Sequence, residues 1–200
     1  MRVIDTAPLR GPRHYVDGYP TRAADGAVHA VIEVPAGTRA KFEVDHDSGD
    51  LRWEIAQRRR RVIDFVGYPG NYGLIPSTLL AREDGGDGDP LDVLVLGDPA
   101  PRGALLRVRA VALLHLLDEG ERDDKVVAVP FEAAGGPPAL LDVRDLPELR
   151  ARYPGALAIV ETFFRSYDGA GSTEARGWSG RAEAEALIDL AASAHARRAP

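Results

Sequence analysis

Asp87-Gly88-Asp89-Pro90-Leu91-Asp92-Val93-Leu94-Val95-Leu96 sets three carboxylates in one short turn and runs at once into an apolar strand. Two like charges about 4 Å apart repel by roughly 4 kcal/mol at an effective dielectric near ~20. A fold that gathers all three therefore needs full solvation or bound cations. Oxygen donors without Cys or His in the turn favour the hard ions Mg²⁺, Mn²⁺ or Ca²⁺ over Zn²⁺. Read alone, the hexapeptide fits a solvated acidic loop as well as a metal site. Two details favour metal. Pro90 fixes its own φ and biases Asp89 towards an extended backbone, so the turn has a definite shape. The strand that follows anchors Asp92 at the edge of a core, where an unpaired charge is costly. A calcium EF-hand loop fails here, because Asp92 stands at the sixth position in place of Gly and Asp98 at the twelfth in place of Glu. Asp45-His46-Asp47-Ser48-Gly49-Asp50 fails the same test and reads as a hairpin turn.

Around this turn the chain is an ordinary soluble one. Its 200 residues, 44% hydrophobic and 28% charged, suffice for one domain with a real core. The net charge of −6 argues against nucleic acid or an anionic membrane as the main partner. No apolar run approaches the length of a membrane span, and the first residues carry no signal-peptide core. With zero Cys there are no disulfides and no thiolate metal sites, and a cytoplasmic location is the expectation.

The hydrophobic pattern puts strands first and helices last. Val28 to Val34 alternates, with Val28, Ala30, Ile32 and Val34 on one face and Glu33 on the other. Lys41-Phe42-Glu43-Val44 alternates too, which sets Lys41 and Glu43 on one face. Leu51 to Ile55 is the partner strand after the Ser48-Gly49 turn. Further strands are expected at Asp92–Leu96, Leu105–Leu117 and Val126–Val129. Val160, Phe163, Phe164 and Tyr167 follow helical spacing, as do Leu187, Leu190, Ala191 and Ala194. Asp145-Leu146-Pro147-Glu148 has the spacing of a helix start with an Asp cap. The expected class is α+β, mainly β, with residues 1–27 an irregular extension.

Asp118-Glu119-Gly120-Glu121-Arg122-Asp123-Asp124-Lys125 is a second charged turn between apolar strands. By itself it is a solvated loop. Facing the first turn, it completes a cleft able to hold several divalent ions, which can clamp both oxygens of a phosphoryl displacement. Such a site also needs cations for the remaining phosphate oxygens and hydroxyls for orientation. Lys41, Arg58 to Arg61, Lys125, Tyr68, Tyr72 and Tyr167 supply them.

Taken together these residues resemble the soluble inorganic pyrophosphatases of the Mg²⁺-dependent type, family I. The resemblance rests on Asp87 to Asp92 and runs from Val28 to the C-terminal helix. It includes Val31-Ile32-Glu33-Val34-Pro35, Lys41-Phe42-Glu43-Val44-Asp45, Tyr68-Pro69-Gly70-Asn71-Tyr72-Gly73, Asp118-Glu119 with Asp123 and Lys125, and Val126 to Pro130. It implies a five-stranded OB-like β-barrel flanked by C-terminal helices, within a single domain over residues 28–200. It implies hydrolysis of pyrophosphate to two phosphates by a metal-bridging hydroxide, with several Mg²⁺ per site that Mn²⁺ can replace. By the same resemblance Asp87, Asp92 and Asp123 hold the metal that activates water, Asp118 and Asp123 the metal that arrives with substrate, and Glu43 a further one. Asp89 is the general base, and Glu33 and Tyr68 support the site. Lys41, Arg60, Lys125, Tyr72 and Tyr167 contact phosphate. The resemblance also implies a homo-oligomer, commonly a hexamer in bacteria.

The chain departs from this family pattern in three places. Asp168 follows Tyr167 where the family usually has Lys, and Gly169-Ala170-Gly171 comes next; Arg165 or Arg176 could replace the lysine. About five extra residues lie between Glu43 and the arginine position, so a shifted register selects Arg59 or Arg61 instead of Arg60. Residues 1–27 have no counterpart. Rival readings are a nucleoside polyphosphate or short polyphosphate as substrate, a non-catalytic phosphate- or metal-binding protein, and a nucleic-acid-binding OB module. The last is disfavoured by the acidic charge and by six Tyr and two Trp that form no stacking stripe on a basic groove. His14, His29, His46, His115 and His195 are scattered, and none is assigned to the site.

Overall fold

A computed structural model of the protein describes residues 7–82, 85–132, 138–169, 171 and 173–198. In chain order its strands are β1 (Val28–Val34), β2 (Phe42–Val44), β3 (Leu51–Trp53), β4 (Ile55–Ala56), β5 (Arg59–Arg60), β6 (Asn71–Leu74), β7 (Asp92–Val95), β8 (Leu105–Asp118), β9 (Glu121–Arg122), β10 (Lys125–Pro130) and β11 (Thr173–Gly180). The helices are α1 (Pro138–Leu141), a single turn, then α2 (Leu146–Arg152), α3 (Ala156–Phe164) and α4 (Arg181–Arg198).

Five of the strands form a ring. β1 pairs antiparallel with β6, β6 with β7, β7 runs parallel to β10, β10 is antiparallel to β8, and β8 returns to β1. The long β8 can serve two partners because a register shift opposite Val127/Ala128 bends the ladder. Both faces of the ring are covered. Leu94, Leu96, Val127 and Val129 pack towards α2 and α3, while Val93, Val95, Val126 and Ala128 pack towards α4. That is why Val93 to Leu96 reads as a continuous apolar run and shows no alternation. The family-implied five-stranded ring with flanking helices is what the chain forms.

Strands do not end before the helices begin, however. β11 lies between α3 and α4 and pairs with β8 from Asp118↔Thr173 to Ala112↔Gly180. A register shift at Gly177 (φ 106°) interrupts its alternation, so the stretch carries no strand signal of its own. The strand expected over Leu51 to Ile55 also divides. β3 pairs with β2, and β4 turns back on β5 through Gln57 and Arg58, both at positive φ. This small hairpin lies in the stretch between Glu43 and Arg61. The cap at Asp145 is present, with its side chain accepting from Glu148 N at 2.9 Å, and Glu148 in turn accepts from Arg144 N. On α4 the buried face is Ala184, Leu187, Ile188, Ala191 and Ala194, whereas Leu190 stays exposed.

Residues 7–27 contain no helix or laddered strand, but they are docked. Leu9 bridges to Leu51 and Arg22 to Val28, and Tyr15 and Val16 are buried against Phe42, Val44, Leu51 and Leu74. Residues 1–6 of this segment and Ala170 of the Gly-rich stretch lie outside the described residues.

Candidate active site

The acidic turn has the definite shape its sequence requires. Gly88 takes φ 92°, a conformation open to glycine, and lets Asp89 N donate to Asp87 Oδ1 at 2.9 Å. Behind it, the buried Thr78 hydroxyl accepts from Leu91 N at 3.0 Å and donates to Ile75 O at 2.6 Å. Asp87, Asp89 and Asp92 thereby face one cleft of about 440 Å³, whose other walls are Glu33, Lys41, Glu43, Val44, Asp45, His46, Tyr72, Leu74 and Pro90. Burial, followed by the charges of Asp87 and Asp92, raises the Asp89 pKa.

The second charged turn sorts its residues by direction. Glu119 and Glu121 point to solvent, while Asp124 and Lys125 are buried. Asp124 locks the turn by accepting from Leu116 N at 3.2 Å, Arg122 Nε at 2.7 Å and the His115 ring at 3.1 Å. This network sets Asp123 facing Asp92, with Lys125 Nζ bonded to both carboxylates. Burial opposes the ammonium charge of Lys125, but Asp92 and Asp123 outweigh it and raise its pKa. Burial pushes Asp123 up to about 6, still ionised at neutral pH. Asp118, at the end of β8, accepts from Thr173 Oγ1 at 3.1 Å.

Aromatic rings form the third wall. Tyr68 packs on Tyr72 at 5.0 Å and on Phe163 at 4.7 Å between centroids, with Tyr167 at 6.3 Å. Lys41 Nζ lies 4.6 Å from the Tyr72 ring centroid. Tyr68 Oη is buried without a hydrogen-bond partner among the described residues, a costly state for a hydroxyl. Glu33 lies beneath this wall, and burial pushes it up to about 7. Glu43 is exposed at the cleft edge; partial desolvation and Glu54 raise its pKa.

The arginines divide by position. Arg60 is exposed on the hairpin with its guanidinium 4.7 Å from the Trp53 centroid. Arg61, the first residue back at the base, pairs with Glu54 at 2.7 Å and with Asp168 at 2.6 Å, and lies 6.0 Å from the Tyr167 ring. Arg165, just past α3, pairs with Glu161 one turn back, and Arg176 pairs with Glu174 within β11.

Cleft and sequence reading thus coincide for Glu33, Lys41, Glu43, Tyr72, Asp87, Asp89 and Asp92. Asp123 and Lys125 join through Asp92, and Tyr68 and Tyr167 stand behind Tyr72. Sequence reasoning assigned no role to His46, whose Nδ1 is 3.4 Å from Asp89 Oδ1, or to Glu54, and it marked Asp168 as a departure without its partner; Glu54 and Asp168 grip Arg61. Only the Arg58–Arg61 run hinted at the last pair; nothing local marks His46.

Does this donor set suit a divalent cation? Among the described residues, no three such ligands converge around a single point. The carboxylates are nevertheless all-oxygen and crowded. Between Asp92 and Asp123 a cationic group, the Lys125 ammonium, already sits where positive charge is demanded. The set fits a hard divalent ion.

The family model described as inorganic pyrophosphatase matches residues 30–196. The inorganic pyrophosphatase of Streptomyces coelicolor is 35% identical over 159 residues, spanning 79% of this chain and 89% of that one. Soluble inorganic pyrophosphatase 2 of Chlamydomonas reinhardtii is 38% identical over 152 residues, 76% of this chain and 70% of its own. The fold is shared with the inorganic pyrophosphatase of Schistosoma japonicum at a TM-score of 0.84 and 23% identity, covering 96% of this chain and 75% of that one. With its five-strand ring, its paired acidic turns and a match over most of its length, this chain belongs to the inorganic pyrophosphatase family.

Proposed function

We propose that this cleft hydrolyses pyrophosphate to two phosphates with Mg²⁺, for which Mn²⁺ can substitute. The observation that carries the reading is the meeting of Asp92 and Asp123 on one lysine, beside Asp87 and Asp89. Asp87, Asp92, Asp118, Asp123 and Glu43 would hold divalent cations, which when bound neutralise the substrate and lower the pKa of water.

The rest is done by the chain's own groups. Asp89, made more basic by burial and by Asp87 and Asp92, accepts the proton of the attacking water at a carboxylate oxygen. Lys41, Lys125 and Arg61 bind phosphate oxygens, with Arg61 in the role the sequence assigned to Arg60, because Arg61 alone of the two turns to Tyr167. Tyr72 and Tyr167 donate hydroxyl protons that orient the substrate, and Glu33 and Tyr68 support them from behind. With reactant and water so held, little remains beyond positioning. Residues 28–200 form the catalytic domain and residues 1–27 an extension, of which residues 7–27 brace β2 and β3. The working form is a cytoplasmic homo-oligomer, a hexamer by family resemblance; no described helix is long and apolar enough to cross a membrane.

Phosphate release from pyrophosphate with and without Mg²⁺ tests the proposal. Release that depends on the cation supports it. Absence of release from folded protein under Mg²⁺ and Mn²⁺ would favour the non-catalytic binding protein.

A further inference from the structure

Arg61 stands beside Tyr167 with both ends of its guanidinium occupied. Nη1 bonds Glu54 at 2.7 Å and Nη2 bonds Asp168 at 2.6 Å. The two partners differ in kind. Glu54 is local and only 19% exposed, and Arg61 N donates to Glu54 O at the base of the hairpin. Asp168 arrives from the far end of the chain, just beyond α3, and is 44% exposed. Arg61 O also accepts from Lys41 N and from Trp53 Nε1, so the backbone under the guanidinium is fixed and only the side chain can move.

Glu54 alone would satisfy one cation this near the surface. The second carboxylate leaves the trio at net −1, in a site proposed to take a polyanion. An ion pair with an exposed partner is cheap to open. A phosphate oxygen can therefore take Nη2 from Asp168, while Glu54 keeps hold of Nη1 and so limits where the guanidinium goes.

We infer that Asp168 is a positioning residue, a carboxylate clasp that holds Arg61 in reserve and competes with the substrate for it. This rests on the reading of the cleft as a pyrophosphate site. The clasp tempers affinity for the incoming anion and recovers Arg61 when phosphate departs.

The test is pyrophosphate binding by calorimetry beside Mg²⁺-dependent turnover, for wild type, Asp168→Asn, Asp168→Glu, Arg61→Ala and the Arg61→Ala/Asp168→Asn double variant. In Asp168→Asn, Kd and KM are expected to fall about threefold to fivefold at low ionic strength, with KM moving by the larger factor than kcat. The gain should shrink as salt is added. Asp168→Glu should return both constants towards wild type, and the double variant should match Arg61→Ala. Kd and KM that stay put or rise in Asp168→Asn would overturn the clasp, as would the same gain persisting without Arg61. Wild-type protein that binds pyrophosphate without cleaving it would remove the catalytic reading and leave the clasp to be decided by Kd alone. Wild-type protein that does neither would remove both.

Discussion

Glu33 Oε1 accepts a hydrogen bond from Val44 N at 2.7 Å, tying a carboxylate that is 5% exposed on β1 to the edge of β2. Burial is the main cause that pushes this group up to about 7, with Asp92 and Glu43 adding to it against Lys41. The folded state thus holds the proton to higher pH than the unfolded chain. Glu33 contributes stability that is present below about pH 4.5 and lost as pH rises through about 7. In chelator, Glu33→Gln is expected to match wild type at acid pH and to exceed it by about 3 kcal/mol above pH ~8. Urea midpoints across that range check it, and a constant difference at every pH would exclude the linkage.

Asp89→Asn keeps the size of the side chain and removes the proton acceptor. Turnover with Mg²⁺ is expected to fall about 10²- to 10⁴-fold. Phosphate release at neutral pH reads this directly. Near-native turnover would take Asp89 out of the role of base.

Tyr68→Phe removes a buried hydroxyl that bonds nothing among the described residues. Thermal stability should change by less than about 1 kcal/mol, because no bond is lost and a desolvated group disappears. Turnover should stay within about threefold of wild type, since Tyr68 supports Tyr72 and Tyr167 by ring packing that Phe retains. A roughly tenfold fall in turnover at unchanged stability would give the buried hydroxyl a role of its own.

Lys125→Met leaves Asp92 and Asp123, 27% and 24% exposed, facing each other without their shared cation. Metal-free protein is expected to lose about 1–3 kcal/mol. The deficit should narrow as Mg²⁺ is titrated in, since the same two carboxylates would then share a cation. Denaturation with and without Mg²⁺ measures both, and a deficit indifferent to Mg²⁺ would detach these carboxylates from metal binding.

Gly73 on β6 has no room for a side chain, because a Cβ there would lie 1.8 Å from Val31 O on β1. Gly73→Ala must separate the two strands and is expected to cost about 4 kcal/mol or more. Circular dichroism with a denaturant series checks it, and a midpoint near that of wild type would mean that the ring yields easily at this edge.

Much of the site was legible in the chain because its signals are local. Asp87 to Asp92 encode their own turn: Gly88 supplies the left-handed residue, Pro90 the fixed φ, and Asp87 the side chain that caps Asp89 N. Alternation marked the strands at Val28 to Val34 and at Phe42 to Val44, but a register shift between Ile32 and Val34 packs Val34 in a different part of the core from Val28, Ala30 and Ile32. The Asp145 cap was likewise written in four residues.

What stayed hidden depends on partners distant in sequence. β11 has no pattern of its own, and its strand form comes from β8, across a ladder interrupted at Gly177. Which arginine comes beside Tyr167 was set by the two-residue turn of the β4–β5 hairpin, which carries Arg60 outward and brings Arg61 back. His46 reaches Asp89, and Asp168 reaches Arg61 across 107 positions, only when the ring has closed. Local chemistry determined the identity of the site in sequence, since hydrogen bonds and φ preferences act over a few residues. The tertiary structure alone decided which charges meet, because Coulomb interactions depend on distance in space and not on order along the chain.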